Sequence, residues 1–150
     1  MTPCLRVTLL ASALSTSCLA HGDAPAPPTL EPSAVDTVRV TDLMVLPHAT
    51  RTIVASEAVA AAVRGLNHGR WWSAAGSRLV PTHRVELLRG DAVVAVFFIG
   101  PNSSLDQFPC YSLCSGWWVG VGQGSGDIDR SRYIGLADTQ WFRLSRALGL

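Results

Sequence analysis

One stretch decides the fold: residues 82–99 have the sequence THRVELLRGDAVVAVFFI. Two arms, residues 82–89 and 92–99, flank Gly90 and Asp91, and a two-residue link of this kind favours a tight hairpin turn. The second arm is apolar throughout, which predicts the central strand of a sheet. The chain is therefore expected to be built around an antiparallel hairpin.

Three further segments have the pattern of strands. Residues 37–46 place apolar side chains at nearly every second position, which is the period of a half-buried strand, and Pro47 ends the pattern. Residues 117–123 and 132–136 are short, rich in β-branched and aromatic residues, and separated by a glycine-rich link. Together with the hairpin they predict a sheet of about five strands.

Two segments have the pattern of helices. Residues 57–67 are alanine-rich with an apolar stripe at helical spacing, and Ser56 is expected to cap their N-terminus. Residues 139–148 carry Trp141, Leu144 and Leu148 on one face, with Asp138 as the expected cap. The order β-α-β-β-β-β-α predicts an α+β fold, in which two helices pack on one face of an antiparallel sheet as a two-layer sandwich.

The N-terminus has the pattern of an export signal. Residues 5–14 (LRVTLLASAL) are mostly apolar, too few to span a bilayer, and small residues follow them. Cleavage before Cys18 would remove residues 1–17 and leave the thiol for acylation, whereas cleavage after Ala20 would remove residues 1–20 and release a soluble, secreted protein. The first alternative resembles bacterial lipoprotein signals, although Ser15 stands where that pattern usually has leucine.

A proline- and alanine-rich stretch separates this leader from the fold. Residues 18–36 contain four prolines between Pro25 and Pro32, which is typical of an extended, semi-rigid spacer. Such a spacer favours lipid attachment at Cys18, on the periplasmic side of the cell envelope and in an outer membrane where one exists. Residues 37–150 are then expected to form a single globular domain.

Charge and cysteine content narrow the possible partners. The chain has 12 basic residues, all arginine, and 11 acidic ones, so loss of Arg6 with the leader makes the mature protein formally neutral. A neutral chain gives no electrostatic support for nucleic-acid binding. Cys110 and Cys114 remain after processing, and in an oxidising compartment they are expected to form a disulfide.

Paired aromatic residues are the strongest candidates for a binding surface. Trp117 and Trp118 are adjacent in a predicted strand, so their side chains point to opposite faces and cannot both enter one core. Exposed tryptophan is common at binding hot spots and also stacks on sugar rings. Trp71, Trp72 and Tyr111 are further candidates, the last in a loop that the expected disulfide would stiffen.

No motif in the sequence specifies a reaction, a metal or a cofactor. The glycine-rich residues 120–126 lack the third glycine of a dinucleotide-binding loop, and a strand rather than a helix follows them. His48, His68 and His83 lie in different predicted elements without metal-ligand spacing.

The expected function is therefore non-enzymatic binding of a protein partner in the envelope, of inhibitor or immunity type. A glycan- or cell-wall-binding module is the alternative, since the same tryptophans could stack on sugars. A small periplasmic hydrolase is the weaker alternative, because a catalytic site assembled only in space leaves no motif.

Overall fold

The computed structural model of the 150-residue chain describes residues 26–68, 71, 80–101, 116–122 and 127–150, with backbone alone at 129–132. These ranges contain six strands, two α-helices and a short 3-10 helix, Pro32–Ala34. In chain order the main elements are β1 (Thr37–Asp42), β2 (Thr50–Ile53), α1 (Ser56–Asn67), β3 (His83–Arg89), β4 (Ala92–Pro101), β5 (Trp117–Gly122), β6 (Ile128–Leu136) and α2 (Asp138–Leu148).

The described strands form one antiparallel sheet in the order β2-β1-β3-β4-β5-β6. The predicted hairpin joins β3 to β4 through Gly90, whose φ of +56° is an angle that glycine adopts at no steric cost. The apolar strand β4 lies between β3 and β5, in the interior of the sheet as expected. The predicted α+β fold with an antiparallel sheet and two helices is confirmed.

Strand β2 is absent from the predicted order. Its four residues, TRTI, are too short and too polar to show an apolar period, and three of the four are exposed. Among the described strands it pairs only with β1, and it forms one edge of their sheet. β1 is also shorter than predicted, because the carboxylate of Asp42 accepts the backbone N–H of Met44 (2.8 Å) and the chain turns there.

The main core lies between the helices and one face of the sheet. Alternate residues of the inner strands point to this face, including Val40, Val85, Phe97 and Val119. Both helices contribute buried side chains: Val59, Ala62, Val63 and Leu66 from α1, and Leu144 and Leu148 from α2. The predicted inner faces of the two helices are therefore correct.

A second, smaller cluster covers the opposite face of β4, β5 and β6. It consists of Phe98, Trp118 and Tyr133, with Leu43, Val96 and Ile128 packed against them. Towards β1 and β3 the same face becomes polar, with Arg39, Arg84 and Glu86. The sheet is therefore buried on both faces at β4, β5 and β6, whereas at β1 and β3 it is buried on the helix face and polar on the other.

The helix starts differ from the predicted caps. Ser56 and Asp138 are the first helical residues, and Ala55 and Ala137 occupy the cap positions, where no side chain of the cap residue bonds to the helix. At α2 the Gln140 side chain instead accepts the backbone N–H of Ala137 (3.0 Å), which satisfies one polar group of the helix start.

The residues just before β1 are bonded to the domain. Asn67, the last residue of α1, makes two hydrogen bonds with the backbone of Leu30 (2.6 and 3.3 Å). Arg89 donates to the Ser33 carbonyl (2.6 Å), and Asp36 accepts the Gly90 N–H (2.8 Å). The leader, Cys18 and the expected disulfide lie outside the described residues, and the proposed domain boundaries stay a prediction.

Candidate functional site

The adjacent tryptophans of β5 lie on opposite faces of the sheet, as strand geometry predicts. Trp118 is 1% exposed, and its indole lies beside Gly100 and Gly120. Its Nε1 donates to the carbonyl of Pro101 (3.0 Å), so the polar atom of the buried ring is satisfied. Trp118 therefore presents no surface to a partner in this structure.

Trp117 belongs to the helix side of the sheet. It is half-buried and stacks on Trp141 of α2, with ring centroids 4.0 Å apart and an interplanar angle of 7°. Trp71 is buried in the main core. Trp72, Tyr111, Cys110 and Cys114 lie outside the described residues. Packing accounts for Trp71 and Trp118, and the binding role assigned to these aromatic residues stays a prediction.

The three histidines considered as candidate site residues do not share a site: no contact among the described residues brings them together. The His48 Nδ1 is 2.9 Å from the Val45 carbonyl oxygen, and the His83 Nδ1 is 2.9 Å from the Thr82 hydroxyl. Burial lowers the pKa of His83. His68 is exposed after α1. Within the described ranges, no three histidine, cysteine or carboxylate side chains are grouped to hold a metal ion.

A charged cluster occupies the polar part of the outer sheet face. Glu86 is 8% exposed, and its two carboxylate oxygens contact the guanidinium groups of Arg39 (3.2 Å) and Arg84 (2.8 Å). Arg39 is the direct cross-strand neighbour of Glu86, and Arg84 is two residues away on the same strand. The Glu86 carboxylate is therefore held between two guanidinium groups, and one of them, Arg39, donates a hydrogen bond to it.

An open groove of about 1000 Å³ crosses the outer surface of the helix layer. We call it the helix-layer groove. The two helices can approach closely here because Gly65 of α1 faces Leu144 of α2 without a side chain between them. The groove is lined by residues of α1, α2 and the segment before β1, namely Thr29, Leu30, Glu31, Pro32, Ala55, Glu57, Ala58, Ala61, Arg64, Gly65, Asn67, His68, Gln140, Phe142, Arg143, Arg146 and Ala147.

The arginines of this groove differ from the other arginines whose side chains the structure describes. Outside the groove, each has a partner: Arg39 and Arg84 form ion pairs with Glu86, Arg51 donates to the Gly149 carbonyl, and Arg89 donates to the Ser33 carbonyl. Arg64, Arg143 and Arg146 are exposed and have no ion pair or hydrogen bond from their side chains within the described part of the chain.

Phe142 adds an apolar contact to this surface. Its side chain is 65% exposed and lines the groove next to Arg143 in sequence. The alanines of α1 and α2 that share the groove are small, so they form a shallow floor. Helical spacing could have placed Phe142, Arg143 and Arg146 on the outer side of α2, since they fall between the predicted inward residues. The contribution of α1 and of residues 29–32 depends on tertiary packing.

Comparison with known proteins gives no match: no family model, no curated protein and no solved structure is similar to this chain. None of the helices in the described ranges has the length and hydropathy to cross a membrane.

Proposed function

We propose that this protein is an exported, non-enzymatic binding module that holds an acidic segment of a protein partner in the helix-layer groove. The observation that carries the proposal is that three arginines, unpaired within the described residues, line the same groove as the exposed Phe142. Arginine and aromatic residues are enriched where binding energy is concentrated. An exposed phenylalanine on the outer side of a helix contributes little to the fold and gives a partner an apolar anchor.

The charges in the groove favour carboxylates on the partner. A guanidinium group binds a carboxylate through two parallel hydrogen bonds, and an arginine without an internal acceptor needs to break no existing bond to do so. Glu31 and Glu57 also line the groove, but its three arginines, Arg64, Arg143 and Arg146, outnumber these two carboxylates. The acidic part of the partner is therefore assigned to these arginines.

The N-terminal region supports a role in the cell envelope. The expected lipid on Cys18 and the proline-rich spacer would keep the domain at a membrane surface, where a partner in the same compartment is met at high effective concentration. Inhibition or neutralisation of an envelope enzyme is the concrete form of the proposal.

Affinity capture from solubilised envelope tests the proposal with matched variants. The native chain should retain one stoichiometric protein, Phe142→Ala and Arg143→Ala should lose it, and Thr52→Glu should keep it. Thr52→Glu changes the net charge by the same amount as Arg143→Ala, but Thr52 is exposed on the edge strand β2 and does not line the groove.

Two results would overturn this function. A partner captured equally by all four proteins would place the contact elsewhere. Retention on purified peptidoglycan that soluble oligosaccharide reverses, with no protein captured, would favour the glycan-binding alternative.

A further inference from the structure

The loop between β1 and β2 has an exposed apolar tip. Met44, Val45 and Leu46 are consecutive, and their exposed fractions are 67%, 45% and 84%. Residues 43–49 include no arginine, aspartate or glutamate. Isolated exposed apolar side chains are ordinary on protein surfaces, whereas three in a row on one loop form a patch that water solvates poorly. We call residues 44–46 the apolar tip.

Hydrogen bonds hold the tip in a defined shape. The Asp42 carboxylate accepts the Met44 N–H (2.8 Å), and the His48 Nδ1 lies 2.9 Å from the Val45 carbonyl oxygen. At the base of the loop, the Asp42 N–H donates to the Ala49 carbonyl and the Leu43 N–H to the Thr82 carbonyl. Several backbone groups are thus satisfied inside the protein, which lowers the cost of moving the loop into a poorly hydrated medium.

We infer that the apolar tip inserts into the lipid surface of the membrane to which the protein is attached, and so orients the domain. This inference rests on the lipid attachment in the proposed function. The tip is exposed on a loop without arginine, aspartate or glutamate, so it suits a deformable lipid phase, whereas the charged helix-layer groove suits a polypeptide. Three side chains bind a membrane weakly by themselves, but an anchor on Cys18 would make the second contact intramolecular.

The position of the tip leaves the groove accessible. The tip is at the end of β1 and β2, beyond the pair Thr41 and Thr50, whereas the groove lies on the outer surface of α1 and α2. A domain whose β1–β2 loop contacts the membrane would leave the groove exposed to the periplasmic space. The lipid on Cys18 and its spacer would limit the distance of the domain from the membrane, and insertion of the apolar tip would fix the orientation of the domain.

Site-specific photocrosslinking in the intact envelope tests the inference on the full, processed chain. A diazirine-bearing aliphatic residue is placed at position 46 in one protein and at position 93 in a matched control. Val93 is also an exposed apolar residue, 50% accessible, but it is next to the β3–β4 turn, at the opposite end of β3 from Thr82, which contacts the base of the tip loop. The expected result is a yield of phospholipid adducts at position 46 that is about tenfold the yield at position 93.

Three results would overturn the inference. Equal lipid adducts at both positions would mean that the anchor alone brings the domain near the membrane. A protein adduct at position 46 would make the tip a protein contact, and crosslinking to water alone would leave it in solvent. Capture of a partner through Phe142 and Arg143 is measured separately, so loss of tip insertion and loss of groove binding are distinguishable.

Discussion

Trp117 of β5 and Trp141 of α2 stack face to face, with ring centroids 4.0 Å apart and planes inclined by 7°. Residue 117 is the cross-strand neighbour of Leu136, two residues before α2 begins. The stack therefore fixes the direction in which the chain leaves the sheet and enters the last helix. Since α2 forms one wall of the helix-layer groove, this contact positions the proposed binding surface.

Trp141→Ala should lower the free energy of unfolding by about 2 kcal/mol, less than for a fully buried tryptophan because the side chain is half-buried. Phe142→Ala is the matched control on the same helix: its ring is 65% exposed, so a change within about 0.5 kcal/mol is expected. Urea unfolding of both variants measures the difference. Equal destabilisation would contradict a structural role for the stack.

Gly100→Ala should destabilise the fold by roughly 2 kcal/mol because the site has no space for a methyl group. A Cβ at this position would lie 2.6 Å from Cζ2 of the buried Trp118 and closer still to the Val80 carbonyl oxygen. Val94→Ala, on the same strand but exposed, should cost less than about 1 kcal/mol. Thermal unfolding would show whether position 100 is the more sensitive of the two.

The sequence predicts the central fold well because its elements carry strong local signals. The hairpin around Gly90, the apolar strand β4 and the inner faces of both helices follow from periodicity and turn chemistry. β2 has no such signal. Its strand conformation depends on pairing with β1, since Thr41 and Thr50 are cross-strand neighbours and their hydroxyls are hydrogen-bonded (3.1 Å). Four residues of which three are polar leave no apolar period in the sequence.

The binding surface is less predictable than the fold. The alternation of strand residues correctly puts Trp117 and Trp118 on opposite faces, but it cannot show that the second face is covered as well. The helix-layer groove depends on Leu30 and Asn67 meeting across 37 residues of chain. Neither the covering of the second face nor this distant contact has a local pattern, so both appear only in the folded chain.

Glu86→Gln should destabilise the protein by about 1–3 kcal/mol, because two arginines would lose a charged acceptor at a buried position. Glu57→Gln is the control. Glu57 is exposed in the first turn of α1 and makes no ion pair within the described residues, so a change within about 0.5 kcal/mol is expected. Chemical denaturation at neutral pH compares them, and an unchanged midpoint for Glu86→Gln would show that the ion pairs add nothing to stability.

The stability of the native protein should fall as the pH is lowered from about 7.5 to about 5.5. Burial lowers the pKa of His83 below its ordinary value of 6.5, Arg51 acts in the same direction and Asp42 opposes them. Between the two pKa values the unfolded chain binds more protons than the folded one. The stabilisation that comes from the lowered pKa of His83 is thus complete above pH 6.5. It is lost as the pH falls towards the pKa of His83 in the folded protein.

His83→Gln should flatten this pH dependence, and His48→Gln, at an exposed histidine in the β1–β2 loop, should not. Unfolding curves for the three proteins at both pH values measure the slope. Asp36 does not interfere: the hydrogen bond from the Gly90 N–H lowers the pKa of its carboxyl below 3.8, outside this range. A native slope that survives His83→Gln would assign the titration to another group.

The affinity for the captured partner should weaken about tenfold when the salt concentration rises from about 0.05 M to about 0.5 M, since exposed guanidinium–carboxylate pairs are screened. Arg143→Ala should bind more weakly and depend less on salt, because one of the three unpaired arginines is gone. Phe142→Ala should also bind more weakly but keep the native salt dependence, because its contact is apolar. Titration of each variant at both salt concentrations separates the two contributions. If Arg143→Ala retained the native slope, the arginines would not be the groups that recognise the partner.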